Sequence, residues 1–272
     1  MQLTSLKDIT TRYRHIFLAP HFDDVVYACG GTLGVQVSSG LRPLIITIFG
    51  GAPAPGLQLS PFAQQQYRQS GVSLAQGVGS LVAARRKEDA AVNDYLECDY
   101  LWLDNLDAAY RGNPPYYTKE ADVIGGEVHP ADQEIDKHLA QDLLALRNRL
   151  PDAAWYAPLG VGRHVDHQLV CSAADRLVQS NARVYFYEDF PYVYKARGAL
   201  DARLQELGGA FEPMLVEVSE FLPARLTAAD MYVTQIGPNF GSQEAMHRAI
   251  EDYTRSIRPV ETVRLERYWT QR

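Results

Sequence analysis

The sequence predicts an α/β fold with a mostly parallel sheet and helices on both faces. Short apolar runs rich in β-forming residues alternate with helical patterns through the first two thirds of the 272-residue chain. Polar clusters directly follow two of these runs, which is where open parallel sheets bind their ligands. The length suits one large α/β domain.

The predicted strands are short, apolar and rich in β-branched or aromatic residues. They cover residues 15–20, 41–49, 100–103, 154–159 and 183–187. Helical patterns cover residues 24–39, 81–96, 130–150 and 167–180. Residues 50–79 are rich in Gly, Pro, Gln and Ser and are predicted to form a loop with a short helix near 62–69, and residues 105–130 form a second irregular segment.

The last part of the chain is less regular. After about residue 196 we expect a polar linker, a strand at 214–218, and helices near 223–235 and 242–256. The sequence shows neither an internal repeat nor a low-complexity tail. It therefore predicts one domain over residues 1–272, which the segment from about residue 196 onward completes or decorates.

Composition excludes several classes of protein. Hydrophobic residues make up 46% of the chain and charged residues 22%, as in an ordinary globular protein. The net charge is −7 with both signs interspersed, which argues against a nucleic-acid partner because such binding needs clustered Lys and Arg. No apolar stretch approaches the roughly 20 residues of a membrane helix, and the first residues do not resemble a signal peptide. We therefore expect a cytoplasmic protein without a membrane span, with three reduced, buried cysteines.

Two polar motifs carry the chemistry. HIFLAPHFDDVVYACGGTLG, residues 15–34, runs from an apolar strand into a His-x-Asp-Asp cluster and then a helix. GRHVDHQLV, residues 162–170, follows another predicted strand and supplies two more histidines. Because both motifs follow strands of one parallel sheet, we expect them at the same sheet edge. Imidazole and carboxylate groups from two loops are typical ligands of a catalytic divalent metal.

The residue types suggest a role for each side chain. His21, Asp24 and His167 would hold the metal and leave coordination positions open for water and substrate. Asp23, beside the metal, would accept a proton from the attacking water. His164 would stabilise the oxyanion or protonate the leaving amine.

A purely structural explanation also fits each motif taken alone. An aspartate directly after a strand often caps the following helix, so Asp23 or Asp24 would accept hydrogen bonds from backbone N–H groups. The occurrence of both motifs at two strand ends favours the metal site.

The two motifs resemble those of a known family. PHFDDVVYACGGTL is similar to the PHxDD…GGT signature of the PIG-L/LmbE-like zinc deacetylases, and GRHVDH is similar to that family's HxDH motif. The similarity extends from about residue 14 to about residue 195. The resemblance implies a Rossmann-like fold and the same ligands, base and acid as above. It also implies Zn²⁺ as the metal, with another divalent ion as the alternative.

The resemblance also implies a substrate and a reaction. Members of the family remove acetyl groups from N-acetylated amino sugars and their conjugates, so water would attack an acetamide and release amine and acetate. The sequence leaves the oligomeric state open, and a homo-oligomer is one possibility because similar enzymes often assemble as trimers or hexamers. The chain departs from the pattern at Val25, where many members carry Glu, and this marks a divergent branch.

Further residues are candidates for substrate binding. Similar family members carry an Arg and a Glu near the helical run RRKEDAA, which singles out Arg85 and Glu88. A solvated helix face with ion pairs three or four residues apart also explains them. Asp104, at the end of YLWLD, would bind a sugar hydroxyl or serve in a turn or cap.

The remaining candidates follow the last two strands of the βα series. Asp166 would accept a hydrogen bond from a ligand histidine and so orient it. Glu188 and Asp189 would lie at the functional edge of the sheet. Tyr192 offers an apolar face and a hydroxyl to a sugar ring, although packing on the domain's own surface explains it equally.

Three other functions were weighed: NAD binding, an iron oxygenase and a carbohydrate-binding protein without turnover. Gly30 and Gly31 do not form a GxGxxG motif, so we reject NAD binding and expect close helix packing at the pair. An iron oxygenase with two histidines and one carboxylate has similar ligands, but it usually has an all-β fold, which the βα alternation opposes. A degenerate member retained for carbohydrate binding would lack turnover, yet the presumed ligands and base are all present.

Overall fold

Seven strands form the core of the structure, a computed structural model that describes residues 1–258 and 260–271. They are β1 (His15–Ala19), β2 (Leu44–Thr47), β3 (Asp99–Trp102), β4 (Ala154–Pro158), β5 (Arg183–Tyr187), β6 (Phe211–Glu217) and β7 (Leu265–Gln271). Their order across one sheet is β3-β2-β1-β4-β5-β7-β6.

Helices cover the sheet on both faces, as predicted for the α/β class. They are α1 (Asp24–Ser38), α2 (Pro61–Ser70), α3 (Ser80–Tyr95), α4 (Glu120–Val123), α5 (Gln133–Arg149), α6 (Val165–Gln179), α7 (Tyr192–Lys195), α8 (Ala199–Leu207), α9 (Leu222–Asp230), α10 (Val233–Phe240) and α11 (Gln243–Ser256). α9 packs against both α1 and α3, so these three helices form one group. α5 and α6 pack against each other and form a second group. Within the described ranges, no helix is both long enough and apolar enough to span a bilayer.

The strand directions place two loops together. β1 to β5 are parallel, whereas β7 runs antiparallel to both β5 and β6. β1 lies directly beside β4, with Ile16 opposite Trp155. The strand order reverses between these two strands, and ligands of open α/β sheets bind at such a point. The predicted placement of both motifs at one sheet edge is therefore confirmed.

The glycine pair in α1 allows close packing, as predicted. A Cβ atom on Gly30 would lie 2.7 Å from Cγ of Arg225, and one on Gly31 would lie 2.5 Å from Cβ of Val218. A side chain at either position would collide with the elements that follow β6. The three cysteines are free and buried, also as predicted.

The segment after residue 196 differs from the prediction. The expected polar linker contains α8, in which Leu200, Leu204 and Leu207 recur at helical spacing and pack against the core. The helix expected at 223–235 is two helices, α9 and α10, because the chain turns at Met231 and Tyr232.

The strand β7 is not predicted from the sequence. Apolar and polar residues do not alternate regularly in its sequence, LERYWTQ, so the local pattern predicts a strand only weakly. Its partners β5 and β6 lie far away in the chain and supply the hydrogen bonds that stabilise it.

A buried ion pair joins α9 to β7. Nη1 of Arg225 lies 2.9 Å from Oε1 of Glu266, and both side chains are almost completely buried. The Glu266 carboxylate also accepts hydrogen bonds from the backbone N–H groups of Gly31 and Thr32 in α1. The pair therefore ties the C-terminal elements to the first helix.

We expect the substitution Glu266→Gln to lower the free energy of unfolding by about 3 kcal/mol, because it leaves a buried guanidinium without its counter-charge. Denaturant unfolding measures this loss. Asp252→Asn, which breaks the exposed pair with Arg255, is the matched control and should cost less than about 1 kcal/mol. Equal losses for the two variants would mean that the buried Arg225–Glu266 pair contributes no more to stability than an exposed ion pair.

A chain of hydrogen bonds joins α3 to the loop after β1. The hydroxyl of Tyr232 lies 2.8 Å from the carbonyl oxygen of Phe22 and 2.8 Å from Oδ1 of Asp89, and Trp102 donates its Nε1–H to Oδ2 of Asp89. The Tyr232 hydroxyl donates toward both acceptors, and a protonated Asp89 can donate to Tyr232 in turn. Burial raises the pKa of Asp89 to about 7, against the hydrogen bonds from Trp102 and Tyr232.

This protonated carboxyl predicts a pH-dependent stability. Between the ordinary pKa of 3.8 and the folded value of about 7, the native state binds more protons than the unfolded chain, so the Asp89 contribution to stability falls as pH rises. Asp89→Asn keeps the donor toward Tyr232 and removes the titration. We expect its stability relative to the wild type to increase from pH 4 to pH 8 by at most about 4 kcal/mol.

Thermal or denaturant unfolding across this pH range tests the prediction. Asp142→Asn, at an exposed position of α5, corrects for the loss of one carboxylate. If the difference in the free energy of unfolding between Asp89→Asn and the wild type stays constant with pH, Asp89 is charged in the native protein.

Candidate metal centre and substrate cleft

Two neighbouring loops at the sheet edge supply the centre. The loop after β1 carries His21 and Asp23, and Asp24 is the first residue of α1. The loop after β4 ends at His164, the N-cap of α6, and His167 lies in the first turn of that helix. α6 thus begins two residues earlier than predicted, at Val165, because the His164 ring caps it.

Two histidines approach one carboxylate oxygen. Nδ1 of His21 and Nε2 of His167 each lie 3.3 Å from Oδ2 of Asp24. All three side chains are buried, and one ligand atom from each lies within 4.8 Å of the others. The three predicted ligands are therefore brought together.

The outer nitrogen of each ring meets a further carboxylate. Nδ1 of His167 lies 2.6 Å from Oδ1 of Asp189, and Nε2 of His21 lies 2.9 Å from Oδ2 of Asp166. Such contacts fix the orientation of a histidine ligand and increase its basicity. The pairing turns the remaining nitrogen of each ring toward Asp24.

These residues fit a divalent cation. Nε2 of His167 is buried and makes no hydrogen bond within the described part of the chain. Burial alone would lower the pKa of His167, but the charge of Asp24 and the hydrogen bond with Asp189 raise it to about 9. Burial would raise the pKa of Asp24, yet the charge of His167 holds it well below its usual range. The surroundings thus favour positive charge between the rings, and two nitrogens with one carboxylate oxygen suit zinc.

The helix-cap explanation of the first motif does not hold. Asp23 makes no side-chain hydrogen bond to the backbone at the start of α1. Oδ2 of Asp24 accepts a hydrogen bond from the backbone N–H of His21, which lies before the helix.

Asp23 faces a cation beside the centre. Its Oδ1 lies 2.7 Å from Nη2 of Arg85, which α3 brings to the cleft, and both side chains are largely buried. Burial raises the pKa of Asp23, Arg85 opposes this shift, and Asp24 adds to it. A carboxylate whose proton affinity is increased in this way is suited to accept a proton.

His164 stands beside His21 and His167, the two proposed histidine ligands. Its ring centroid is 4.8 Å from that of His21 and 5.0 Å from that of His167. Burial lowers the pKa of His164 well below its usual value, and positive charge on the two neighbouring rings adds to the effect. Nδ1 accepts the backbone N–H of Asp166 at 3.2 Å, so the proton of the neutral ring resides on Nε2.

A cleft opens from this centre between α2, α3, α7 and α10. It holds about 1010 Å³ of empty space, including the part open to solvent at its mouth, and ligand pockets commonly measure ~300–1,000 Å³. Tyr192 lines the cleft, and its ring centroid is 5.6 Å from that of His167. Arg85 lines it as well.

Two predicted substrate-binding residues do not line the cleft. The Asp104 carboxylate is 93% exposed and pairs with Arg86 at 3.3 Å. Glu88 accepts hydrogen bonds from the backbone N–H and the hydroxyl of Thr234, at 2.9 and 2.7 Å. Glu88 therefore holds the first turn of α10 in place.

Glu188 and Asp189 point in different directions, as neighbouring residues after a strand do. Asp189 faces His167, as described above. Glu188 instead accepts hydrogen bonds from Arg267 and from Nε1 of Trp269 on β7, so it stabilises the antiparallel side of the sheet.

The sequence reasoning missed two residues of the irregular segment 105–130. Oδ2 of Asp107 lies 3.5 Å from Nε2 of His21, and Nη1 of Arg111 lies 2.6 Å from Oδ1 of Asp166. Asp107 follows β3 at the functional edge, so the argument that selected Asp104 applies to it as well. Arg111 stands in a loop where no spacing or periodicity marks it.

A second group of residues also lies close enough to hold an ion. It consists of His21, His164 and Asp166. Asp166 already pairs with Arg111 and accepts the backbone N–H of Ala108 at 3.0 Å. A cation there would compete with a buried guanidinium, so the group around Asp24 fits a metal better.

Many members of the family that the sequence resembles carry Glu where this chain has Val25. Val25 is completely buried and does not line the cleft. Val25 therefore packs in the core at the start of α1 and contributes no group to the centre.

Comparisons with known proteins identify relatives of this chain. The sequence profile of the PIG-L family, described as GlcNAc-PI de-N-acetylase, matches residues 16–178. The 2'-N-acetylparomamine deacetylase of Niallia circulans is 30% identical over 84% of this chain and 82% of its own length. The enzyme of the same name from Streptomyces fradiae is 28% identical over 85% of this chain and 76% of its own length.

A solved structure shares the fold. The zinc inhibited form of teicoplanin deacetylase aligns with a TM-score of 0.79 at 25% identity, covering 94% of this chain and 97% of that one. These likenesses and the α/β sheet oppose the iron oxygenase alternative. On this combination of fold, site and sequence match, the chain belongs to the PIG-L family of de-N-acetylases.

Proposed function

We propose that this protein is a zinc-dependent hydrolase that removes the acetyl group from an N-acetylated amino sugar within a larger conjugate. The observation that carries the proposal is the approach of His21 and His167 to a single oxygen of Asp24, with Asp23 and His164 beside it. The names of the curated relatives, which are deacetylases of an acetylated amino sugar conjugate, support the substrate class.

The chain's own residues supply the acid–base chemistry. His21, Asp24 and His167 would hold Zn²⁺, which when bound polarises an amide carbonyl and lowers the pKa of water. Asp23 accepts the proton of the attacking water, and Arg85 keeps its carboxylate in one orientation.

His164 acts on the other side of the acetamide. Its Nε2–H can donate to the oxygen that gains charge as the carbonyl carbon becomes tetrahedral. The lowered pKa keeps the ring neutral at physiological pH, and its Nε2–H remains available as a donor. The proton that Asp23 has accepted is then available to the leaving amine.

The cleft suits an amino sugar because polar side chains surround the centre. We take 2'-N-acetylparomamine, the substrate named for the curated relatives, as the first compound to test. Zinc as the native metal, one domain over the whole chain, a cytoplasmic location and a homo-oligomeric state stay predictions.

One prediction distinguishes the proposed base, Asp23, from the proposed metal ligands. Asp23→Asn should keep bound zinc and lose activity by about 10²–10⁴-fold, because the proton acceptor is gone. His167→Ala should lose both zinc and activity. Metal content of the purified protein and acetate release are the measurements.

Two variants serve as controls. Asp94→Asn changes an exposed carboxylate on α3, and His247→Ala changes a histidine that pairs with Asp230. Both should keep metal and activity. Wild-type turnover in Asp23→Asn would exclude Asp23 as the base, and wild-type zinc content in His167→Ala would exclude the ligand assignment.

A further prediction concerns Asp189, whose carboxylate contacts Nδ1 of His167. Asp189→Asn should weaken zinc affinity by about 10–100-fold, because the carboxylate orients the imidazole and increases its basicity. Competition with a zinc chelator measures the affinity. Glu188→Gln exchanges the adjacent carboxylate, which bonds to β7, and should change zinc affinity by less than about twofold. Equal effects of the two substitutions would mean that Asp189 acts only on stability.

A further inference from the structure

A buried guanidinium stands behind one of the two proposed histidine ligands. Nη1 of Arg111 lies 2.6 Å from Oδ1 of Asp166, whose Oδ2 lies 2.9 Å from Nε2 of His21. The Arg111 side chain is 4% exposed, and that of Asp166 is completely buried. Asp189, the carboxylate behind the other ligand, accepts the backbone N–H of Val161 at 2.8 Å. The two carboxylates are therefore stabilised differently, one by a cation and the other by a backbone dipole.

Asp166 lies within reach of two imidazoles. Together with His21 and His164 it forms the second group of residues close enough to hold an ion. Two nitrogens and one carboxylate oxygen are the same set of donors as in the first group, and they suit zinc equally well. Nδ1 of His21 faces the first group, whereas Nε2 faces Asp166, and either ring nitrogen can bind a metal. Both histidines line the cleft, so an ion from solvent can reach them.

Contacts on its other side hold Arg111 in place. Nη2 lies 3.0 Å from Oδ2 of Asp132, a buried carboxylate that also accepts the hydroxyl of Tyr117 at 2.7 Å. Nη1 donates to the carbonyl oxygen of Leu106 at 3.0 Å. If the guanidinium moved away from Asp166, these bonds would break and two buried carboxylates would lose their counter-charge. Arg111 therefore has a fixed position beside Asp166.

A metal ion in the second group would remove the donor proposed for the oxyanion. Nδ1 of His164 already accepts the backbone N–H of Asp166, so Nε2 is the nitrogen left to bind an ion. A guanidinium in contact with Asp166 repels a divalent cation strongly, because both charges are buried and poorly screened. The position of Arg111 is thus one from which it opposes a second ion.

We propose that Arg111 excludes a second metal ion from the group of His21, His164 and Asp166. The protein then holds a single zinc ion, and His164 stays available as a hydrogen-bond donor. This inference rests on the proposed zinc-dependent function, and it assigns a role to a residue outside both metal-binding motifs.

The experiment counts the zinc ions bound to each chain by titration against a chromophoric chelator and by metal content after desalting. Because Arg111 bridges two buried carboxylates, the test variant combines Arg111→Met with Asp132→Asn, whose amide oxygen can still accept the Tyr117 hydroxyl. We expect one zinc ion in the wild type and two in this double variant. The affinity of the second group should increase by at least about 100-fold, because the adjacent positive charge is gone.

Three further proteins serve as controls. Asp132→Asn alone keeps Arg111 and should bind one zinc ion. Adding Asp166→Asn to the double variant removes a ligand of the second group and should return the count to one. Arg176→Met breaks the ion pair with Asp136 in the last turn of α6 and should leave the count at one.

Thermal unfolding shows whether each variant is folded. If the double variant is not, Arg111→Gln combined with Asp132→Asn replaces it. The glutamine amide can donate to Asp166 but carries no charge, so two zinc ions are again expected.

The outcomes separate the inference from the proposed function. A wild type that binds no zinc would overturn both. One ion in the wild type and one in the folded double variant would overturn the inference and leave the zinc-dependent function standing. Two ions in the wild type, a folded double variant without zinc, or a second ion that persists after Asp166→Asn would each overturn the inference as well.

Discussion

The arrangement of negative charge around two buried imidazoles constrains the whole site. Asp24 lies between His21 and His167, and Asp166 and Asp189 hold the outer nitrogens of the rings. Buried carboxylates remain ionised only where positive charge or hydrogen bonds compensate them. A divalent cation between the rings would provide that compensation. The parallel pairing of β1 with β4 is what brings the two loops close enough for it.

The fold could be predicted from the sequence where local patterns and topology agree. Apolar runs and helical periodicity locate β1 to β5 and their helices, because each of these strands is buried on both faces. The elements after residue 196 depend on distant contacts. β7 forms only because β5 and β6 supply its hydrogen bonds, and Glu266 in that strand is stabilised by Arg225 of α9. Such pairings leave little trace in a short window of sequence.

The candidate site follows the same division. The motif spacing and the strand-end rule predicted that the three proposed ligands, Asp23 and His164 lie together, and the resemblance implied the same set. Asp107 and Arg111 come from an irregular loop whose path no periodic pattern specifies. Glu88 was singled out by the resemblance rather than by a local pattern. In the structure its carboxylate accepts hydrogen bonds from Thr234 in α10, a helix that lines the cleft.

The position of α10 in the chain has a consequence for how such enzymes diversify. The family profile matches residues 16–178, which include both loops of the candidate centre, while α10 begins at Val233. The residues of the candidate centre and the part of the cleft lining that α10 supplies thus come from separate stretches of polypeptide. Exchange of residues in the later stretch would therefore change the lining of the cleft without changing any side chain of the candidate centre.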